Sequence, residues 1–393
     1  MIDKIKLKNF KCFLDLSLNL GALTLLTGFN AAGKSTAIQP LLAVSQTCKE
    51  KINRAEILLE GGLVDFGSPT EVLSDQASSN TIEIGFESDC FGISFDLCAD
   101  KDSGRLLIEE LQFSHDEQVE TLTEPARIVE SLQRISMSES SESGCLRSSI
   151  NELVYISATR KGPVGLYPAP RGPCLSNAEV GASGEFAAWW FAELSDSEVP
   201  DNKCHPSDSA KTLRRQFNAW AATIFPGIEA NAIKVLKANC VNLEFKTSAT
   251  ENWRHPGNIG YGLTYVFPII VAGLLAKPGQ IIVIDSPEAH LHPMGQSKIG
   301  VFLAAMANAG VQVIIETHSD HILNGARIAV KQSIIKKDDV LIHFFNGGKQ
   351  VEGGSPPILT CTISSQGTLS DWPEGFFDQA EKDLTELAGL WKN

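Results

Sequence analysis

At 393 residues the chain can hold two or three modest domains, or one large domain with insertions. Its 43% hydrophobic and 20% charged residues are those of a folded soluble protein, and a net charge of −14 argues against a surface coated with nucleic acid, though not against a local basic groove. The nine cysteines are scattered without a C-x-x-C pair, which argues against a zinc or disulfide framework and fits reduced thiols in a cytoplasm.

The opening residues carry no signal-peptide pattern; Lys4, Lys6, Lys8 and Lys11 interleave with Ile5 and Leu7 as in a strand. Residues 2–9 and 13–20 are expected to pair, because Leu14, Leu16, Leu18 and Leu20 alternate with Asp15, Ser17 and Asn19. Leu23, Leu25 and Leu26 form a short apolar strand, and a helix-capable run from Ser35 to Lys49 follows it. Pro40 lies inside that run and should kink the helix or end it early. Residues 80–98 alternate as two more strands, and the Ser/Glu-rich 136–149 has the composition of an exposed loop. Val154 to Ala158 is a strand, and Glu185 to Leu194, with Trp189-Trp190-Phe191, a buried helix. Residues 195–209 are a second polar loop, whose Cys204-His205 pair lacks the other half of a metal site.

Asn258 to Ala276 contains no charged residue, so a hydropathy scan flags it as a membrane span. Gly260, Gly262, Gly273 and Pro268 interrupt it, and Lys277-Pro-Gly-Gln280 alone separates it from a second apolar run, Ile281 to Ile284. A helix buried beside a central strand, with no membrane, explains both. Ile299, Phe302, Leu303 and Met306 mark one face of the next helix, which Gly310 stops before the strand Val311 to Ile315. This strand–helix–strand alternation signals a parallel α/β core. Phe377, Ala380, Leu384, Leu387 and Trp391 then recur at helical spacing, as in a docked core helix. The chain divides into a first lobe (1–110), a middle region (111–250), a second lobe (251–345) and a small C-terminal domain (346–393).

The chemistry begins at Gly28-Phe-Asn-Ala-Ala-Gly-Lys-Ser-Thr36, which completes the pattern G-x-x-x-x-G-K-[ST]. Gly28, Asn30, Ala31, Ala32, Gly33, Lys34, Ser35 and Thr36 are the candidate nucleotide-binding residues. In such a loop successive backbone N–H groups wrap the β- and γ-phosphates, the lysine neutralises their charge, and the serine hydroxyl ligates Mg²⁺. The glycines admit a wrapped backbone and a close phosphate approach that a Cβ would block. A second strand must bring a carboxylate to the metal, and Ile281-Ile-Val-Ile-Asp285 places an acid at a strand's C-terminal tip. ATP and Mg²⁺ are the expected ligands, with Ser35 and Asp285 as the metal-side residues.

After Asp285 comes Ser286-Pro-Glu-Ala-His-Leu-His-Pro293, and the next strand ends Ile315-Glu-Thr-His318-Ser-Asp-His321. With the early phosphate loop, this order resembles the ABC-type ATPase heads of the SMC, RecF and overcoming-lysogenization-defect (OLD) group. More narrowly, it resembles bacterial ATPases that carry a short C-terminal domain of unknown function. Asn9-Phe-Lys-Cys-Phe13, Gly62-Leu-Val-Asp-Phe-Gly67, Tyr155-Ile-Ser-Ala-Thr-Arg160 and Asp371-Trp-Pro-Glu-Gly-Phe-Phe-Asp378 extend the similarity. The resemblance implies an α/β P-loop head with a mixed central sheet, antiparallel N-terminal strands, a helical insertion and no long coiled coil. It also implies that Asp285 organises magnesium, that His318 is a switch histidine facing the γ-phosphate, and that Asn9 and Lys11 approach the nucleotide. Asn258, Gly260, Gly262 and Thr264 look like a divergent signature motif, offered in trans to ATP on a second copy in a head-to-tail homodimer. On this basis a bulky residue at Gly262 is expected to spare the monomer and weaken the dimer.

The bare residues temper these roles. His290 and His292 diverge on a helix, so a loop role suits them better than metal binding; His318 and His321 lack a third ligand. Arg160 fits a phosphate sensor or a salt-bridge partner. One position departs from the family pattern: the glutamate that usually follows the magnesium acid is Ser286 here, and a serine hydroxyl is too weakly basic to activate water. Glu288 is the nearest replacement and Glu316 a second, so slow hydrolysis is expected, with Glu288 and His318 as the catalytic candidates. The leading expectation is a cytoplasmic ATP-driven switch gating a separate nuclease or toxin in bacterial defence against phage. A DNA-repair ATPase acting on nucleic acid directly, and a non-hydrolysing ATP-clamped scaffold, are the alternatives.

Overall fold

A computed structural model describes residues 1–50, 52–89, 91–116, 118–136, 142–170, 179–248, 250–347, 358–373 and 375–388. The expected hairpin is present: β1 (Lys4–Phe10) pairs antiparallel with β2 (Phe13–Asn19), Leu7 opposite Leu16. Strand β3 (Leu23–Gly28) delivers the chain to the phosphate loop, and α1 (Lys34–Lys49) leaves it. Pro40 does not end α1. The proline forfeits a single backbone bond, and the twelve buried residues of this sixteen-residue helix hold it in place.

The short β4 (Glu56–Ile57) and the one-turn α2 (Pro69–Val72) precede four antiparallel strands: β5 (Thr81–Glu87), β6 (Phe91–Asp100), β7 (Arg105–His115) and β8 (Gln118–Leu122). With β1, β2 and β4 they complete a seven-stranded sheet. On its outer face Lys6 pairs with Glu87 and Lys8 with Glu83, so these lysines balance neighbouring carboxylates.

Two helices follow, α3 (Pro125–Ser136) and α4 (Glu142–Asn151). The second corrects the loop expected over 136–149: from residue 142 the segment is helical, because Leu146 and Ile150 share a face that is buried near α1. Strand β9 (Val154–Ile156) enters the nucleotide sheet, while β10 (Tyr167–Pro168), β11 (Glu229–Lys234) and β12 (Cys240–Lys246) form a separate three-stranded sheet beside α5 (Ala187–Glu193) and α6 (Leu213–Ile224).

The remainder is the α/β core: α7 (Tyr261–Leu275), β13 (Ile281–Asp285), α8 (Pro293–Asn308), β14 (Gln312–Glu316), α9 (Asp320–Lys331), β15 (Val340–Phe345), β16 (Ile358–Cys361) and α10 (Gln379–Leu387). The six-stranded sheet runs β16-β15-β3-β14-β13-β9, with every pair parallel except β15–β16. Its two faces feed two cores. Ile281, Val283 and Ile314 point toward α1 and the antiparallel sheet; Ile282, Ile284, Val313 and Ile315 point toward α7, α8 and α9. A fully apolar strand is needed wherever both faces are covered.

Helix α7 accounts for the uncharged stretch: twelve of its fifteen residues are buried. Among the described residues no helix is long and apolar enough to cross a membrane. The C-terminal stripe differs from expectation. Leu384 is 67% and Leu387 84% exposed on α10, so they do not pack into a core; Phe376 is the fully buried aromatic in that region. Trp391 lies outside the described residues.

Candidate functional site

The phosphate loop has the backbone its sequence demands. Gly28 (φ 124°), Ala31 (φ 58°) and Gly33 (φ 99°) are left-handed, a region open to glycine and costly for most other residues. Gly28 has a steric reason too: a Cβ there would come within 2.2 Å of the Phe345 carbonyl oxygen on β15. Asn30 and Ala31 face solvent, Ala32 and Gly33 are buried, and Ser35 and Thr36 open the first turn of α1. Lys34 is buried, its ammonium donating to the carbonyls of Phe29 (2.7 Å) and Gly28 (3.2 Å). Burial lowers its pKa, against the attraction of Glu316 and Asp285.

Parallel pairing sets Asp285 and Glu316 side by side at the tips of β13 and β14. The Ser35 hydroxyl donates to Glu316 Oε1 at 2.8 Å, and the Ser286 hydroxyl donates to Asp285 Oδ1 at 2.8 Å. Burial, then the nearby Asp285 charge, pushes the Glu316 carboxyl up to about 7. A hydroxyl and two carboxylates, all hard oxygen donors beside an anion-binding loop, suit Mg²⁺, which takes few protein ligands and completes its shell with phosphate and water. Glu316 was signalled in the sequence by two adjacent apolar strands that each end in an acid, Ile-Ile-Val-Ile-Asp285 and Val-Ile-Ile-Glu316.

Glu288 reaches the Thr317–His318 turn. One carboxylate oxygen accepts from the Thr317 hydroxyl (2.8 Å) and the other from the His318 backbone N–H (2.9 Å). His318 itself is exposed; partial burial, then Lys34, lowers its imidazole pKa. Ser319 caps α9 by accepting from the N–H groups of His321 and Ile322, and the His292 ring caps α8. His290 (φ 62°) lies against the Tyr265 ring at 4.4 Å, so both loop histidines have structural partners. Among the described residues no group of three or more His, Cys, Asp or Glu is placed to cage a metal. His205 packs edge-on against Trp220.

The signature-like residues divide. Asn258 and Gly260 are exposed at the N-terminal end of α7, and Tyr261 beside them is 55% exposed. Gly262 and Thr264 are buried: a Cβ on Gly262 would meet the His290 carbonyl at 2.7 Å, and the Thr264 hydroxyl bonds Tyr261 O at 2.9 Å. A bulky residue at Gly262 would therefore disturb the monomer, contrary to the sequence-based expectation.

Arg160 is held by backbone instead of by a carboxylate partner. Its guanidinium is spent on main-chain carbonyls: Ser157 (3.0 Å), Tyr265 (3.2 Å), Asp285 (2.9 Å) and Ser286. Asn9 is likewise occupied, donating its amide to Thr81 O at 2.9 Å. Lys11 bonds Gln39 (2.8 Å), lies over the Phe66 ring, and lines a cavity of about 900 Å³ with Cys12, Phe66, Thr70 and Glu71. That cavity adjoins the phosphate loop, since a Cβ on Gly33 would meet Cys12 Sγ at 3.0 Å. On the other side the C-terminal segment closes in. Gly375 approaches Phe29 so closely that a Cβ would stand 2.4 Å from its ring, and Phe29 tilts against Phe344 at 5.8 Å.

Comparison with known proteins agrees with this geometry. Residues 1–158 match the profile of an AAA ATPase domain. Residues 196–324 match an AAA domain whose description links it to the AbiEii toxin of a type IV toxin–antitoxin system. Residues 335–387 match a protein of unknown function, DUF3696. Among curated proteins, the energy-coupling factor transporter ATP-binding protein EcfA of Methanococcus maripaludis is 33% identical over 88 residues, and that of Carboxydothermus hydrogenoformans 36% over 91. The alignments cover 22% and 23% of this chain, and the chain spans only 27% and 29% of the relatives' length. Among solved structures, an SMC head bound to the C-winged helix domain of ScpA is similar with a TM-score of 0.51, over 92% of this chain and 98% of the other. At 14% identity that likeness is one of fold. The chain thus carries segments that match AAA ATPase domains at 1–158 and 196–324 and a C-terminal domain of unknown function at 335–387, on a fold like that of an SMC head.

Proposed function

We propose that this chain binds ATP with Mg²⁺, hydrolyses it slowly, and acts as a cytoplasmic switch in which two copies close head to tail around two nucleotides. The observation that carries the reading is the convergence of Ser35, Asp285 and Glu316 beside the phosphate loop, with Glu288 tied to the His318 turn. In this reading the loop's N–H groups and Lys34 hold the phosphates. Ser35, Asp285 and Glu316 hold the metal, which when bound offsets charge on the β- and γ-oxygens. Glu288 orients and deprotonates the attacking water in place of the glutamate missing at Ser286, and His318 contacts the γ-phosphate. Asn258, Gly260 and the exposed turn of α7 present a helix N-terminus to the nucleotide of the second copy.

The output of such a switch is an effector on a separate chain, a nuclease or toxin, in defence against phage. The toxin–antitoxin link of the 196–324 profile supports that direction. Direct action on DNA gains nothing from β1, whose Lys6 and Lys8 are paired with glutamates. The deciding experiment compares wild type with Lys34→Ala. ATP affinity is expected to fall about 10–100-fold, the scale of losing charge-assisted phosphate contacts. Light scattering should show an ATP-Mg²⁺-induced dimer for wild type alone. Undiminished ATP turnover in the variant would remove the phosphate-loop assignment.

A further inference from the structure

Arg160 is 3% exposed, and the acceptors of its four hydrogen bonds belong to three separate stretches of chain. Ser157 lies just beyond β9, Tyr265 is in the second turn of α7, and Asp285 and Ser286 form the tip of β13. The guanidinium also stands 5.3 Å from the Tyr265 ring, which in turn packs on His290 of the loop after β13. A buried guanidinium is costly unless its donors are satisfied, and these carbonyls satisfy it in a planar fork that a lysine cannot reproduce. The attachment to α7 falls at a loosened turn, because Pro268 cannot donate the bond that would close on the Thr264 carbonyl. The attachment to β13 falls at Ser286, a non-glycine residue held at φ 49°, which needs outside support to persist.

We propose that Arg160 is a positioning residue that clamps the Asp285–Ser286 tip to helix α7, fixing the metal-side acid in place and linking it to any movement of α7. It acts through the backbone of Asp285. The inference rests on the ATP-Mg²⁺ reading of the site. In that reading α7 presents its exposed N-terminal turn to a second copy, so closure of the dimer would be transmitted along the Tyr265–Arg160–Asp285 path.

The test titrates a fluorescent ATP analogue into wild type, Arg160→Lys and Arg160→Met, with EDTA and with rising Mg²⁺, and follows turnover in the same samples. Mg²⁺-free affinity, set by Lys34 and the loop, should stay within about twofold of wild type. The Mg²⁺-dependent gain in affinity should fall about 10–100-fold in Arg160→Met, the range for losing a partner that orients a metal ligand, with Arg160→Lys intermediate. The half-saturating Mg²⁺ for turnover should rise in the same order. A folded variant with wild-type Mg²⁺ dependence overturns the proposal, as does equal loss of Mg²⁺-free binding, which would mark general structural damage. Should Arg160→Met fail to fold, Arg160→Lys decides by the same criteria. Wild type without Mg²⁺-dependent nucleotide binding would overturn the ATPase reading itself, which is a distinct result.

Discussion

Serine at position 286 is the residue that most shapes this site. Its hydroxyl is held by Asp285 and its N–H by the Glu316 carbonyl at 2.8 Å, so it supports the tip of β13 and cannot take up a proton from water. Two glutamates remain, and their surroundings separate them. Glu316 is buried against Ser35 with its pKa raised, which suits a metal-side ligand that ionises when a cation arrives; Glu288, half-buried in the loop after β13, is held by the Thr317–His318 turn. Glu288→Gln should therefore lower turnover about 10²–10⁴-fold with Mg²⁺-ATP affinity retained. Glu316→Gln should instead weaken Mg²⁺ coupling by about 10–100-fold. Single-turnover rates and Mg²⁺ titrations on the two variants separate these outcomes, and a reversal would exchange the two roles.

At the scale of the element, α7 carries the stresses. Its C-terminal carbonyls at Gly273 (2.8 Å) and Ala276 accept from Lys203, a lysine 1% exposed in the turn Asp201–Lys203. This is a helix C-cap made by a cation, favoured by the dipole and opposed by desolvation. Desolvation pulls Lys203 from an ordinary value of 10.5 down to about 7. Between about 7 and 10.5 the unfolded chain thus binds a proton that the folded chain does not, so this group makes stability rise with pH across that window. The rise is at most about 1.4 kcal/mol per pH unit. Urea unfolding of wild type and Lys203→Met at pH 7 and 9 checks it. The variant should lack the upward slope, and parallel slopes would mean that the lysine stays charged throughout.

For the whole molecule, the question is whether two heads close on ATP. Gly260 offers a cleaner probe than Gly262. It caps α7 with φ −55°, which any residue tolerates, and a Cβ there meets nothing within 4 Å. Gly260→Trp should shift the monomer's melting temperature by less than about 2 °C, as exposed substitutions do. It should also weaken the ATP-induced dimer by about tenfold or more, read by light scattering. Gly262→Leu, forced against His290 and Leu291, should cost the monomer about 1–3 kcal/mol. A dimer unchanged by Gly260→Trp would place the interface elsewhere. The C-terminal segment belongs to this scale as well: Gly375 and Phe376 reach back to Phe29 and Phe344, so the last part of the chain touches the loop that begins the site.

The sequence by itself determined what depends on local rules. The phosphate loop was legible because its glycines and lysine are fixed by backbone conformation and phosphate charge. The apolar strands β3, β13 and β14 were legible because a doubly covered strand has no polar face. Only the tertiary structure decided what depends on neighbours brought from afar. Pro40 is tolerated because buried contacts outweigh one lost hydrogen bond. The chain is helical from residue 142 because Leu146 and Ile150 are buried near α1, although the composition is that of a loop. Leu384 and Leu387 have helical spacing without a core to enter, since periodicity specifies a face and not what covers it. The two acid-tipped strands were visible in the sequence, but only parallel pairing in register set Glu316 beside Asp285, and only chain crossing brought Arg160 to four carbonyls, because both contacts join residues distant in the chain.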